Sequence, residues 1–336
     1  MSHRSPWAAR GALALCLAAV VVTSRGALAE EGPAEAAPAP AATAKPADAT
    51  PADAPTPAEK KAAYALPFSM RPAVAANLVR VDSAFAFQNP SAGAKQDTYV
   101  STLTAGYKPI SSIPDLGFYV RAAWVHNSPD GKDSADAVSN PLFFGMYTPE
   151  IAPHLRLALF AGVTAPIGAG GGNTPNATTR ATILDGIYAR QAMDNALFAT
   201  NYTTPTGGVG LAWIDHGFTA QVEATVLYLI RTRGELQDTD SSRVNFTSGA
   251  SVGYLLFPFL TAQAELHYQR WLSTPAVVAK DDTKRDQATG GFALRANVPL
   301  SKTMIIRPGL GYFAGFDDPM HVGGYRIVQL DVPIAF

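Results

Sequence analysis

Charged side chains on the polar face of alternating segments are the residues of this chain that could carry chemistry. Glu223 lies within "FTAQVEATVLYLI" and Glu265 within "LTAQAELHYQ", two segments in which apolar and polar residues alternate. Charges that converge on one interior either neutralise one another or select solutes by charge. Ten residues share this placement: Arg80, Asp82, Arg121, Arg156, Glu223, Glu265, His267, Arg295, Arg307 and Asp331.

Two opposite-charge pairs follow from the order of these segments along the chain. If consecutive segments are antiparallel neighbours, Glu265 lies beside Arg295, and Arg307 lies beside Asp331. The resulting belt of charges either braces a narrow interior or lines a constriction that filters solutes. Lys108 alternates with apolar neighbours in the same way and therefore shares the polar parity, meaning the polar face of its strand. With Lys108 included, six cations face four anions, which predicts at most a weak preference for anions.

Catalytic chemistry finds little support in the sequence. His267 shares the face of Glu265, but Ser273 follows only at the start of a loop, and no nucleophile has an oriented base. The stretch "GAGGGNTP" lacks the Gly-Lys-Ser/Thr ending of a phosphate-binding loop. The acidic loop residues are typical of solvated positions or weak calcium sites: Asp281, Asp282, Asp317 and Asp318. We expect no catalytic residue, no cofactor and no metal site.

The elements that must position the charges are β-strands. From about residue 75 to the end of the chain the hydrophobic pattern has period two, which is the period of a strand. Twelve strands are predicted, with starts near residues 77, 98, 117, 140, 154, 206, 218, 244, 260, 288, 303 and 323. The polar parity carries the charges, so the apolar parity must face a different medium.

The connections between the strands alternate in length. Short turns are predicted near 109–115, 151–153, 215–217, 257–258 and 300–301, and longer polar loops at 88–97, 127–139, 167–205, 232–243, 273–287 and 315–322. An even strand number with this asymmetry is typical of an all-β, antiparallel, up-and-down transmembrane barrel, with short turns and both chain ends in the periplasm. A soluble β-sandwich is the alternative, but its turns need not differ in length.

Aromatic residues support the barrel. Phe218 and Tyr228 share one parity ten residues apart, which corresponds to about 25 Å along the barrel axis at a strand tilt of about 40°. Tyr99 and Tyr107 share a parity in the same way. Such pairs predict two aromatic girdles that flank an apolar band.

The N-terminal region differs from the rest in composition. Residues 1–29 are predicted to be a signal peptide, with Arg4 and Arg10 before an apolar stretch and a cleavage site at Ala27-Leu28-Ala29. Residues 30–74 are rich in Ala and Pro, which predicts a disordered periplasmic linker that acts as a spacer or reaches a periplasmic or cell-wall partner. The barrel is then residues 75–336. A net charge of −1 and the lack of a basic stripe argue against nucleic-acid binding.

The longest loop, 167–205, is predicted to fold on itself. Apolar residues at 183, 184, 187, 188, 193 and 197 have roughly helical spacing. Loops of this length are usually functional or disordered. We expect a short helix that caps the mouth of the barrel or dips into its interior.

With its signal peptide, twelve strands and terminal "VQLDVPIAF", the chain resembles bacterial outer-membrane β-barrel proteins as a class, without indicating one family. The resemblance implies a Gram-negative outer-membrane location in a lipid bilayer. It also implies a last strand read by the barrel-assembly machinery through Phe336, Ile334, Val332 and Leu330. The expected function is that of a porin-like channel or passive transporter for small solutes. A closed structural or adhesive barrel that binds through its outer loops, or an outer-membrane hydrolase, remains an alternative.

Overall fold

Twelve long strands form one closed antiparallel barrel, as predicted. The computed structural model of the protein describes residues 64–90, 95–235 and 241–336. The predicted signal peptide and the linker up to residue 63 lie outside these residues. In chain order the strands are β1 (Leu78–Gln88), β2 (Gln96–Tyr107), β3 (Leu116–Pro129), β4 (Leu142–Tyr147), β5 (Leu155–Thr164), β6 (Tyr202–Asp215), β7 (Phe218–Arg231), β8 (Ser242–Phe257), β9 (Leu260–Trp271), β10 (Asp286–Ala296), β11 (Gly309–Gly315) and β12 (Tyr325–Ala335).

Each strand pairs with the next, and the first pairs with the last. The β1–β12 ladder runs without a register shift from Leu78 opposite Ala335 to Gln88 opposite Tyr325. Every strand of the barrel therefore has two neighbours, and the sheet has no open edge. Because both edges of each barrel strand are paired, the side chains of these strands point either to the outer wall or to the lumen.

The eleventh strand is the one whose predicted start differs most from the structure. A start near residue 303 was predicted, but β11 begins at Gly309. Short strands Val298–Pro299 and Ile305–Ile306 instead form a small hairpin at the end of the barrel that carries the short turns. Ile305 lies opposite Ala335 there. Pro308 interrupts the ladder because it has no N–H to donate. Two further short strands, Ala135–Val138 and Glu150–Ala152, extend the pairing of β3 and β5.

Apolar side chains face out and polar side chains face in. On β7, Phe218, Val222 and Val226 are exposed, whereas Gln221 and Glu223 are buried in the lumen. A water-soluble fold would bury the apolar face, so this inversion is the one expected of strands that meet lipid. The predicted assignment of the two parities is therefore confirmed for this strand.

Aromatic residues gather near both ends of the barrel wall. At the end that carries the short turns, Tyr107 lies opposite Phe118 and Phe218 lies opposite Tyr254. At the end that carries the long loops, the Tyr99 ring lies 4.8 Å from the Phe85 ring and 5.3 Å from the Trp124 ring, centroid to centroid. We call these the short-turn end and the long-loop end.

The connection between β5 and β6 contains the predicted helix. Helix α1 (Ala177–Ala189) and the single turn α2 (Asn195–Phe198) lie inside the long-loop end of the barrel, and α3 (Ala276–Lys280) with the 3₁₀ turn Asp282–Lys284 joins β9 to β10. Asn176 caps α1 by accepting the N–H of Thr179 at 3.0 Å. None of the helices among the described residues is long and apolar enough to cross a membrane.

A close approach fixes α1 against α2. A Cβ atom at Gly186 would lie 2.6 Å from the Phe198 ring and 3.0 Å from Val125. Glycine at this position therefore lets the helix, the following turn and the wall strand β3 pack together. Ile183 and Phe198 are fully buried there, in the same apolar cluster as wall residues of β1 to β5.

Candidate functional site

The lumen holds a stretch of chain that precedes the first strand. Residues 64–77, which we call the inner segment, run inside the barrel, although the sequence assigned 64–74 to the linker. The segment enters and leaves at the short-turn end: the carbonyl of Tyr64 accepts from Arg307 Nη1 at 3.2 Å, and that of Asn77 accepts from the N–H of Phe336 at 3.1 Å. Between these points it turns at Phe68 and Met70, which are at most 2% exposed.

Lumen carboxylates bind the backbone of the inner segment. Glu265 accepts the N–H groups of Phe68 and Ser69, the latter at 3.1 Å. Glu223 accepts the N–H of Arg71 at 2.9 Å and lies 3.5 Å from its guanidinium group. A segment without regular secondary structure needs partners for its N–H groups, and charged acceptors give strong hydrogen bonds. These two carboxylates therefore hold the segment in place.

Lumen amides satisfy the carbonyl groups of the same segment. Gln221 donates to the carbonyl of Arg71 at 2.6 Å, and Gln263 donates to that of Leu66 at 2.8 Å. Both amides belong to the polar parity that the sequence placed inside. The alternation of Gln and Glu on β7 and β9 thus matches the donor and acceptor needs of an extended chain.

Asp331 is the centre of a buried cation cluster. It lies 2.8 Å from Arg80 Nε and 2.6 Å from Arg295 Nη2, and it is fully buried. Arg80 also donates to the carbonyl groups of Pro67 and Phe68. The guanidinium of Arg295 stacks on the Phe68 ring at 4.3 Å. The wall charges and the inner segment therefore form one network.

The two ion pairs predicted from the sequence are wrong. Glu265 lies opposite Gly291 rather than Arg295, whose partner is Asp331. Arg307 lies before β11 begins, and its side chain reaches the carbonyl of Tyr64 instead of Asp331. The prediction counted heights from a turn near 300–301. In the structure β10 ends at Ala296 and β11 begins at Gly309, so Arg295 and Arg307 both lie nearer the short-turn end than the count assumed.

His267 lies between a hydroxyl and a carboxylate. Its ring nitrogens are 3.3 Å from Thr289 Oγ1 and 3.0 Å from Glu265 Oε2. All three side chains are buried, and the Phe313 ring stacks 6.0 Å from the imidazole. Because Glu265 also binds the inner segment, the imidazole serves here to orient that carboxylate.

Arg156 lies apart from the other predicted lumen charges. Its guanidinium is 3.1 Å from Asp115 and 3.6 Å from Glu150, and it donates to the carbonyl of Thr148 at 2.9 Å. These partners belong to the short-turn end. Arg156 therefore braces the turns and contributes nothing to a constriction at mid-height.

A second stretch of chain fills the lumen from the long-loop end. Residues 165–201, which we call the outer segment, carry Arg190, whose guanidinium lies 2.7 Å from Asp82 and 3.0 Å from Asp194. Arg121 binds both oxygens of Asp194, one at 2.9 Å. Burial alone would raise the pKa of Asp194, but the guanidinium groups of Arg121 and Arg190 outweigh it and lower that pKa below its usual value.

The two segments meet at Gln329 on β12. Its amide oxygen accepts from Gln191 of the outer segment at 3.0 Å and from Ser69 of the inner segment at 3.4 Å, and its amide nitrogen donates to Asp82 at 2.8 Å. Both segments therefore reach the wall at the same height of the lumen. A cavity of about 40 Å³ lies beside the inner segment, next to Ser69.

The ten predicted residues thus divide into three groups. Glu223, Glu265 and His267 hold the inner segment. Arg156 and Arg307 lie at the short-turn end. The remaining five form the mid-lumen network around Asp82 and Asp331: Arg80, Asp82, Arg121, Arg295 and Asp331.

Sequence reasoning missed the partners that these residues have in the two segments. Arg71 belongs to a stretch assigned to the linker, and Gln329 is an uncharged residue in a strand. Arg190 and Asp194 are an i, i+4 pair of opposite charge in an apolar part of the loop, which is a signal that could have been read. Among the described residues, no three His, Cys, Asp or Glu side chains are grouped to hold a metal ion.

The comparisons with known proteins show the fold. No family model and no curated protein matches the sequence. Among solved structures, an outer membrane channel from Pseudomonas putida F1 is similar over 84% of this chain and 99% of that chain, with a TM-score of 0.52 and 13% identity. The KdgM porin covers 77% of this chain and 99% of its own at 8% identity and a TM-score of 0.43. The fold is therefore that of outer-membrane β-barrels.

Proposed function

We propose that this protein is an outer-membrane channel for small solutes that is closed at rest by the inner and outer segments. The observation that carries the proposal is the contact at Gln329, where both segments close a lumen whose wall is polar. In this proposal the short-turn end, with Tyr64 and Phe336, faces the periplasm. The likeness in fold to the outer membrane channel of P. putida F1 supports the location.

The way in which the inner segment is held supports its release. It contains no strand and no helix, and it pairs with the wall through side chains rather than through a β-ladder. Its departure would leave the β1–β12 closure intact. The side chains it uncovers, such as Glu223, Gln221 and Gln263, are polar and would be hydrated, so no buried group would lose its only partner to an apolar medium.

The charge of the lumen bears on the solutes that would pass. The sequence predicted six lumen cations, with Lys108 included, and four anions. Three of these cations, Lys108, Arg156 and Arg307, lie at the short-turn end, so the proposal places the weak anion preference there. Unequal currents of chloride and potassium in a planar bilayer would support it. Equal currents would remove the preference from the proposal.

Single-channel recording of segment deletions tests the proposal. We expect the full chain to conduct rarely, a chain lacking 64–74 or 170–200 to conduct more often, and a chain lacking both to be constantly open. The control is a chain shortened in the exposed turn at 110–113, which lies outside the lumen and should behave as the full chain. Folding of every variant is checked by its heat-modifiable band on SDS gels.

A permanently closed barrel is the second candidate, and the buried ion pairs between wall and segments favour it. Arg190 is 1% exposed and is neutralised by Asp82 and Asp194, and breaking such a pair is costly. In this case the segments brace the barrel and binding occurs through the outer loops. A folded double deletion that does not conduct would overturn the channel and favour this alternative.

A further inference from the structure

We propose that the cavity at the long-loop end binds a small amphipathic organic anion, specifically a carboxylate with an aromatic body. The cavity measures about 330 Å³ and lies between the outer segment and the inner faces of β6 to β10. The inference rests on the proposed function, since a site in this place would collect a solute before the closed lumen opens. It also names a chemical class, which the channel proposal alone does not.

The size and apolar walls of the cavity suit a ring. Ile183, Phe198 and Leu229 are almost fully buried along it, and Trp271 is half-buried at its rim. An apolar cavity of about 150 Å³ is known to hold benzene, so this volume admits a single or fused ring system with its polar group. Ligand pockets in general combine such walls with a few placed polar groups.

The charges that line the cavity have one sign. Arg180, Arg243 and Lys284 line it, and none of its lining residues within the described part of the chain is Asp or Glu. The guanidinium of Arg243 lies 4.5 Å above the Tyr202 ring and donates to the hydroxyl of the same residue. This contact holds it at the wall beside the apolar surface. Guanidinium and ammonium groups have several donors, so a cation at the wall of a partly apolar space can bind an anion there in addition to its other partners.

Lys284, one of the three cations, also forms an ion pair with a carboxylate outside the cavity. Lys284 Nζ lies 3.4 Å from Asp281, which does not line the cavity and which also accepts from Thr283. An ammonium group has three donors, so Lys284 can bind Asp281 and a ligand carboxylate together. The pair places the charge at the mouth of the cavity.

Buried amides at the cavity wall lack partners. Gln287 is 3% exposed, and its Nε2 donor has no hydrogen-bond partner among the described residues. Asn195 is also 3% exposed, and its Oδ1 acceptor is unpaired in the same sense. A buried polar atom without a partner is costly. A ligand carboxylate would satisfy the Gln287 donor, and a water or ligand hydroxyl would satisfy the Asn195 acceptor.

Calorimetric titration of the folded full chain in detergent tests the proposal, with sodium 2-naphthoate as the probe and neutral 2-naphthamide as its isostere. We expect 2-naphthoate to bind and 2-naphthamide to bind about tenfold more weakly or worse, as befits the loss of a charge-assisted hydrogen bond. Lys284→Gln and Arg243→Gln should each weaken 2-naphthoate several-fold and leave 2-naphthamide unchanged. Arg326→Gln is the control, because this exposed arginine does not line the cavity.

Equal affinity for both probes would overturn the proposal, and so would binding of neither probe. Unchanged 2-naphthoate affinity in both charge variants would do the same. Lys284 lies in a surface turn, so Lys284→Gln remains informative if Arg243→Gln fails to fold. Equilibrium binding requires no passage through the barrel. If the full chain binds 2-naphthoate but the double deletion does not conduct, only the channel proposal is contradicted. If the double deletion conducts but the full chain does not bind 2-naphthoate, only the proposed site is contradicted.

Discussion

Two carboxylates meet at the seam where the barrel closes. Asp82 on β1 lies directly opposite Asp331 on β12, and like charges in this position repel each other. Arg190 forms an ion pair with Asp82, and Arg80 and Arg295 form ion pairs with Asp331, which offsets this repulsion. Closure of the barrel is therefore stabilised by cations from the wall and from the outer segment together.

Asp331→Asn should destabilise the barrel strongly. The change leaves Arg80 and Arg295 buried beside a neutral side chain, and breaking a buried ion pair in this way costs about 3–5 kcal/mol. The unfolding midpoint in urea, followed by the loss of the compact band on SDS gels, measures the effect. Asp97→Asn is the matched control, because Asp97 is exposed. An unchanged midpoint for Asp331→Asn would contradict the role of this cluster.

The side to which each charge points could be predicted from the sequence, but its partner could not. Parity alone places Glu265 in the lumen. Its real partners are the N–H groups of Phe68 and Ser69, which are almost 200 residues away in the chain. A backbone N–H has no residue-type signature, so nothing in the sequence identifies it as the partner of a carboxylate.

At the scale of elements, the two segments that lie in the lumen differ in how clearly the sequence predicts them. The outer segment contains a helix, which the spacing of its apolar residues predicts. The inner segment forms neither a helix nor a strand, because its backbone hydrogen bonds go to side chains of distant strands. One signal was available: Tyr64 and Phe68 are the first aromatic residues after the Ala/Pro-rich stretch.

Docking of α1 should depend on pH through Asp185. Burial raises the pKa of Asp185 to about 6, where it accepts from Asn127 at 2.6 Å and lies near Tyr188 and Tyr325. A carboxyl whose pKa is higher in the docked state favours docking while it is protonated. That contribution is present below its ordinary pKa and is lost as the pH rises to about 6. We expect a smaller open fraction at pH 5 than at pH 7.5.

Asp185→Asn separates this effect from other titrating groups. The amide mimics the protonated carboxyl, so the variant should keep the low open fraction at pH 7.5 and lose most of its pH dependence. Single-channel recordings at both pH values measure the open fraction. If Asp185→Asn retains the full pH dependence of the unchanged chain, another group is responsible.

At the scale of the whole molecule, the closure of the barrel between β1 and β12 includes the last residues of the chain. Phe336 donates its N–H to Asn77, and its side chain is half exposed on the outer wall. Leu330 is exposed on the same face, and Val332 and Ile334 are partly exposed there. The face predicted to be read during assembly is thus accessible. Twelve strands and their sidedness could be predicted because alternation is local, whereas the filling of the lumen depends on contacts between residues far apart in the chain, such as Gln329 with Gln191 and Ser69.

Deleting Phe336 should impair insertion into the membrane without impairing export. The truncated last strand loses its terminal aromatic residue and the hydrogen bond to Asn77. The fraction of heat-modifiable protein in isolated membranes measures insertion, and removal of the signal peptide measures export. Phe336→Trp keeps an aromatic residue and serves as the control. Normal assembly of the truncated chain would show that the terminal residue is no signal.

The inner segment enters and leaves the barrel at one end and is continuous with β1. It is therefore a ligand covalently attached to its own receptor. Its return after release is a unimolecular event that does not depend on protein concentration. A short flexible attachment corresponds to an effective concentration in the millimolar range. A free peptide with the sequence of residues 64–77, added to a barrel that lacks them, would have to reach about that concentration to close it again.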